Sequence, residues 1–350
     1  MAYTNIDDPS AYFQTLLWTG NDVDGRALTN DGNSDLQPDL VWLKNRNVGY
    51  NHFLVDSSRG TSVYLSSNTT TADTTWTNLV ESFDTDGFTV GDDGSQVPNH
   101  TGNTFVAWQW KANGGTTSSN TNGTITSTIQ ANTDAGFNIV TYTGNGANSN
   151  FAHGMGEQPD MVIVKNRTSA ANWCVWHKDL TSSYYMQLDT TISQQTGPWD
   201  GLNPNSGVVF IYSGGLVNAS GSNYVAYIFK GKQGYSKFGK YVGNGNSNGP
   251  FVYTGFKPAW VMVKQSNTAR SWQIFDNKRD GYNKDYMPRL QADSSSAEAA
   301  NTGASMDFVS NGFKIRTDQT GANQSGGTYI YMAFAENPFT TSTGVPCTAR

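Results

Sequence analysis

The chain has 350 residues, a formal net charge of −6, and only 14% charged residues. No Lys/Arg block interrupts it, so binding to nucleic acid through phosphate neutralisation is not expected, and no apolar stretch approaches the roughly 20 residues of a membrane span. Four Glu against 37 Gly, with 13% aromatics, disfavour helices and favour strands and turns.

The opening residues, through Pro9, show neither a basic region nor an apolar core, so no secretory signal is expected. The first predicted strand ends in Trp18-Thr-Gly-Asn21. An apolar run behind a proline follows, Gln37-Pro-Asp-Leu-Val-Trp-Leu-Lys-Asn-Arg46, and then Leu54-Val-Asp56. Phe83 to Val90 reads as a hairpin around Asp86-Gly87, and Phe105-Val-Ala-Trp-Gln-Trp110 closes the block.

The same order returns twice. Tyr142-Thr-Gly-Asn-Gly146 opens a second block, continued by Gln158-Pro-Asp-Met-Val-Ile-Val-Lys-Asn-Arg167, Val175-Trp-His177, Val208 to Gly214 and Tyr224-Val-Ala-Tyr-Ile-Phe229. Tyr241-Val-Gly-Asn-Gly245 opens a third, continued by Lys257-Pro-Ala-Trp-Val-Met-Val-Lys264, Ile274-Phe-Asp276, Phe308-Val-Ser-Asn-Gly-Phe-Lys-Ile315 and Tyr329-Ile-Tyr-Met-Ala-Phe334. Pro38, Pro159 and Pro258 stand 121 and 99 residues apart. That period exceeds the about 20–50 residues of solenoids and propellers, and a unit of that size can close its own core.

The chain therefore reads as all-β, three tandem antiparallel β-sandwich domains of jelly-roll or lectin-like type. The boundaries are 1–112, a flexible Gly/Ser/Thr/Asn-rich linker with one extra strand at 113–133, 134–232, 233–339, and an extended tail at 340–350. Each domain is expected to have an independent core, the second and third packed rigidly and the first looser. Val162-Ile-Val164 and Val261-Met-Val263 read as strands covered on both faces, because they are continuously apolar.

The motifs "MAYTNIDDPSAYFQTLLWTGN", "QPDxVxxKNR", "GYSKFGKYVGNG", "GFKPAWVMVK", "FDNKRDG" and "YIYMAFAENPF" resemble a family of uncharacterised repeat proteins from marine tailed phages, across essentially the whole chain. The resemblance implies a virion protein of the fibre, knob or tail-tip kind with lectin-like sandwiches. It implies localisation to the virion after synthesis in a host cytoplasm, and other virion proteins as partners. It carries no catalytic residues.

Asp56 recurs as His177 and Asp276, with Arg59 and Arg279 three residues on in the outer copies. Such a pair can hold a strand end or floor a sugar site, and the change to His in the middle copy favours the structural role. Asp31 and Asp35, and Asp84, Asp86, Asp92 and Asp93, resemble hard-cation ligands but lack a closing bidentate Glu, so no metal is expected. His52, His100, His153 and His177 do not recur in all three copies, no Gly-x-Ser-x-Gly elbow occurs, and no catalytic residue or cofactor is assigned. Tyr142-Thr-Gly-Asn-Gly146 is a turn, lacking the ending of a phosphate loop. Cys174 and Cys347 read as two reduced thiols.

Trp110, Phe229 and Phe334 share a repeat position, as do Val55, Trp176 and Phe275, and both columns are assigned to cores. Trp76, Tyr184, Tyr185, Trp199, Tyr282 and Tyr286 lie outside shared positions, in polar loops, and are the candidate ligand-binding aromatics. The expected function is attachment to host-surface glycan, a polysaccharide, or to host protein. The alternatives are a capsid or tail decoration and a polysaccharide depolymerase. No heptad run enforces a fibre-like homo-oligomer.

Overall fold

The structure, a computed structural model, describes residues 4–92, 94, 97–181, 183–196, 204–279, 288–298 and 305–347. It is almost entirely β, in antiparallel sheets. Three inner sheets repeat one strand order. In the first unit the neighbours run Phe13–Thr19, Thr104–Trp110, Leu40–Asn45, Phe53–Asp56. In the second they run Phe137–Thr143, Asn223–Phe229, Met161–Asn166, Cys174–His177, and in the third Ser236–Val242, Thr328–Pro338, Phe256–Gln265, Gln273–Asp276. The aromatic strand that ends each block thus lies between the strand that opens it and the strand behind the proline.

A small outer sheet covers each inner one: Arg26–Leu28 with Gly87–Val90 and Ser82–Asp84, Ser149–Ala152 with Val208–Ile211, and Phe251–Tyr253 with Gly312–Ile315 and Met306–Val309. The outer hairpins depend on glycine. A Cβ on Gly87 would stand 2.0 Å from Leu28 O, and one on Gly312 would stand 2.1 Å from Val252 O.

Strand alternation distributes the apolar residues between two kinds of core. Phe105 and Ala107 face the first outer sheet, with Val55 in the same cluster. Val162, Val164 and Trp176 do the same in the second unit, and Val261, Val263 and Phe275 in the third. The intervening residues, Val106, Trp108, Trp110, Ile163, Tyr227, Phe229, Met262, Met332 and Phe334, all enter one central cluster. The expectation of three independent cores is corrected here: each unit has its own core, and all three also share another. Trp110, Phe229 and Phe334 form its heart as a ring triangle, with centroids 6.5, 5.6 and 6.1 Å apart.

Polar contacts repeat around this centre in one sense. Arg59 and Asp56 of the first unit, paired at 2.5 Å and fully buried, meet Tyr227 of the second, whose hydroxyl donates to Asp56 at 2.8 Å. His177 of the second meets the Tyr331 carbonyl of the third at 3.2 Å. Asp276 of the third accepts from Trp108 of the first at 3.0 Å. Tyr227 and Trp108 occupy the same place in their units, and Tyr331 is the residue before that place in the third. A second ring runs alongside the first. The Trp173 indole donates to Ser66 O and that of Trp272 to Gln187 O, both at 2.8 Å, and His52 Nε2 meets Gln291 O at 2.9 Å.

These closures correct two more expectations. The first unit is not looser than the others, because it is bonded to both. The 113–133 segment is not a free linker. It carries two strands, Ser118–Asn120 and Ser127–Asn132, that extend the second inner sheet, and Gly114 and Gly115 N–H donate to Asp39 at 2.9 and 2.8 Å. The tail turns back on itself, Thr340 bridging Pro346, instead of running extended.

Candidate functional site

Three equivalent clefts lie where one inner sheet meets the next. Their equivalence is fixed by shared backbone bonds: Ser57 N–H donates to Asp39 O, Lys178 N–H to Asp160 O and Asn277 N–H to Ala259 O, at 2.9, 3.0 and 2.9 Å. Asp39 and Asp160 each also accept a peptide N–H at 2.7 Å, from Ala112 and Gly231 respectively.

The cleft between the first and second units is filled by the chain itself. Gln130, fully buried, donates its amide to Ser57 and Ser58 Oγ at 2.9 and 2.8 Å, and accepts from Asn113 and Gly115 N–H at 3.1 and 2.9 Å. The other two clefts are open, each ≈ 470 Å³. The one between the third and first units is lined by Gln14, Asp31, Asn33, Asn277, Lys278 and Glu336, two acids against one lysine, Lys278 pairing with Asp31 at 2.8 Å.

The cleft between the second and third units is different. Lys178, Lys230, Lys232 and Lys237 line it, with Tyr253 and Phe339 at its wall, and Lys240 and Phe251 continue the surface. Asp160 serves two lysines at once, Lys178 at 3.2 Å and Lys230 at 3.5 Å, and Lys232 pairs with Glu157 at 2.7 Å. Lys237 donates to Tyr253 O at 2.7 Å and lies over that ring at 5.1 Å. Burial, then the nearby Lys178, lowers its pKa. In a chain of net charge −6, this cleft gathers positive charge beside exposed aromatic faces. Phe251 is 49% exposed, Tyr253 54% and Phe339 41%. Ammonium groups next to flat apolar rings suit an anionic ligand with some apolar surface.

Three of the six candidate aromatics, Trp76, Tyr184 and Tyr185, lie away from these open clefts. Trp76 is half-buried, edge-on to Phe53 and Tyr64 at 5.6 and 5.9 Å. Tyr184 is half-buried and Tyr185 buried, in the strand Tyr184–Gln187 of the second unit, and Tyr185 packs into that unit's own core. Trp199, Tyr282 and Tyr286 lie outside the described residues.

Asp84 and Asp86 of the second aspartate cluster are engaged by the protein, and Asp31 of the first pairs with Lys278. Asp84 accepts from Ser82 and Thr89 at 2.6 and 2.8 Å, and Asp86 from Leu36 N–H at 3.1 Å. Among the described residues no group of three or more His, Cys, Asp or Glu could hold a metal ion. Asp93 lies outside the described residues.

Three histidines are committed to structure. His177 and His153 each accept a peptide N–H at Nδ1, from Asp179 and Met155, so Nε2 carries the proton toward Tyr331 O and Asn205 O. His52 accepts the Trp42 indole N–H at Nδ1, 2.9 Å, which fixes the same tautomer. Burial above all lowers the pKa of all three, that of His177 to about 3. His100 faces Asp22 at 3.2 Å near the surface. Cys174 is buried and Cys347 half-buried, and neither forms a disulfide.

Sequence reasoning passed over two sets of lysines. Lys178 apart, the cleft lysines fall in one stretch, Lys230, Lys232, Lys237 and Lys240 within eleven residues, a density visible without a structure. Lys44, Lys165 and Lys264 recur at one repeat position and are buried. Lys44 donates to Asn45 O and to Ser295 O of the third unit at 2.8 and 3.1 Å. Lys165 reaches Thr70 O of the first unit at 2.9 Å, and Lys264 reaches Thr191 O of the second at 2.9 Å. Burial lowers them to about 7, about 8 and about 8. Their threefold recurrence inside apolar strands was the available signal.

The chain belongs to the family described as Domain of unknown function (DUF7483), which matches residues 8–338. No curated protein and no solved structure matches the chain.

Proposed function

We propose that this chain is a non-enzymatic virion protein of the attachment type, and that it engages its target through the open cleft between the second and third units. The observation that carries the reading is the unequal treatment of three equivalent clefts. One is filled by Gln130 and the strand around it. One is open with two acids and a single lysine, and one is open with four lysines and two aromatic walls. A rigid scaffold with one differentiated surface is what recognition needs. The burial and hydrogen bonding of His52, His153 and His177 support the non-enzymatic part, since none is free to act as a base.

Binding of purified protein to host cells and to an array of acidic and neutral glycans tests the reading. Wild type is expected to bind and the Lys178→Glu/Lys232→Glu variant to lose most of it, with strong salt dependence. Equal retention by wild type and variant, or no binding by either, sinks it.

A decoration role draws on one other observation, the closed ring of three similar units in one chain, a shape that suits a threefold position on a particle. Imaging of the particle separates the two, because an attachment protein stands at a tail extremity and a decoration on the shell.

A further inference from the structure

We propose that the cleft between the second and third units takes an extended, acidic segment of a partner protein, added as an antiparallel strand to the edge Ser236–Val242. This rests on reading that cleft as the binding site.

The chain carries its own precedent. Strand Ser127–Asn132 pairs antiparallel with Phe137–Thr143, the edge strand of the second inner sheet, with Gln130 opposite Ile139. Ser236–Val242 holds the same place in the third sheet: Tyr142 faces Tyr224 across the second pairing, and Tyr241 faces Tyr329 across the third. The corresponding edge of the first unit is occupied differently. Gln14 in Phe13–Thr19 donates to Ser10 O and Ser34 O and accepts from Gly32 N–H, so a loop lies over it. Among the described residues Ser236–Val242 ends its sheet with no strand beyond it.

Its peptide groups are set for pairing. Gly243 N–H donates to Gly327 O, and Tyr235 O accepts from Ala335 N–H. Antiparallel alternation therefore turns the N–H and C=O of Phe238, Lys240 and Val242 away from the neighbouring strand. Such an edge is either protected or used, and an added strand draws affinity from these groups and specificity from the side-chain pockets beside them.

The register supplies the specificity. A strand added as Ser127–Asn132 is added would place one residue opposite Phe238, in the position of Gln130. Gln130 is held by Ser57 and by the peptide N–H of Asn113. The corresponding residues in the open cleft are Lys178 and Lys232, both of which line it. Two ammonium groups beside that position favour a carboxylate over an amide, since charge-assisted bonds are the stronger ones. Among the described residues Lys178 has only Asp160, shared with Lys230, and Lys232 only the half-exposed Glu157 as acidic partners. The exposed Val242 and Phe251 offer apolar contact to the rest of the strand.

The test uses the full-length protein and two synthetic ten-residue peptides: the sequence of residues 123–132 of this chain, and the same sequence with Glu for Gln130. The Glu peptide is expected to bind at least fivefold more tightly than the Gln peptide. It should slow amide hydrogen exchange at Phe238, Lys240 and Val242. Lys178→Gln is expected to erase the fivefold preference. Lys240→Pro removes an outward N–H without touching the inner ladder; it is expected to abolish binding of both peptides while circular dichroism stays unchanged.

Failure of both peptides at millimolar concentration overturns the proposal, as does binding that leaves the three amides unprotected. Binding of a soluble polyuronate with both peptides failing overturns it too, while leaving the attachment reading standing. A concentration-dependent dimer that protects the same amides makes the occupant a second copy of this chain and overturns the partner assignment.

Discussion

The indole N–H of Trp108 donates to Asp276 Oδ2 at 3.0 Å, and the Arg279 guanidinium lies over the same indole at 5.8 Å. One side chain of the first unit thereby covers a buried ion pair of the third, Arg279 to Asp276 at 2.6 Å. Asp276→Ala leaves the buried guanidinium, among the described residues, only the longer acidic contact to Glu298, at 3.4 Å, and we expect it to cost about 3–5 kcal/mol in urea unfolding. Asp276→Leu with Arg279→Met should recover most of that, because a removed pair leaves no uncompensated charge. A double variant as unstable as the single one contradicts this account.

The triangle of Trp110, Phe229 and Phe334 makes the units interdependent. Phe334→Ala is expected to cost about 3–5 kcal/mol and to lower the stability of the whole chain in a single transition. The fragment 134–232 alone would expose its share of the central cluster, and we expect it to lack a cooperative melt. Calorimetry of the chain and fragment decides; an independent, sharp transition for the fragment would refute the shared-core argument.

The buried lysines predict a rise of stability on the alkaline side of neutral. Lys44, Lys165 and Lys264 titrate at about 7, about 8 and about 8 in the fold, below the usual lysine range. Between pH 7 and 9 the unfolded chain binds more protons, so the free energy of unfolding increases with pH. Lys165→Met should flatten the slope measured by urea titration at several pH values, and an unchanged slope argues against the burial assigned to that ammonium.

The histidines act at the other end. His177 titrates at about 3 in the fold and near 6.5 when unfolded. Its contribution is therefore complete above pH 6.5 and declines as the pH falls toward 3, by about 1.4 kcal/mol per pH unit. Asp189, raised by burial to about 6, works in the opposite sense over part of this range, so the test is a difference. His177→Gln should lose stability less steeply than wild type between pH 6 and 4, and identical slopes would count against a neutral buried imidazole.

Much of the fold was legible because strand faces are written in residue order. Val162-Ile-Val164 read as covered on both sides, and Val162 and Val164 do face one core while Ile163 faces another. What the apolar pattern cannot state is which neighbour covers a face. Trp110 looked like the centre of its own sandwich, yet it packs against Phe229 and Phe334 of the other two units. The segment after Asn113 read as linker because Ser, Thr and Asn hydrogen-bond locally and favour turns. Its second strand is held instead by hairpin pairing with the next strand, Phe137–Thr143, and by Ser57. The Asp56–Arg59 and Asp276–Arg279 pairs were read as structural, and their burial bears that out. The cationic cleft was missed because its residues come from two units and only Lys230 to Lys240 lie together in the chain.

Covalent linkage of the three units frees each seam to diverge. A homotrimer must repeat every substitution at all of its joints, so a residue that seals one doorway seals the other two. Here Gln130 bars one entrance, Lys178 and Lys232 charge another, and Asn277 and Glu336 leave the last mixed. One gene can thus hold symmetry in the hub and break it at the rim.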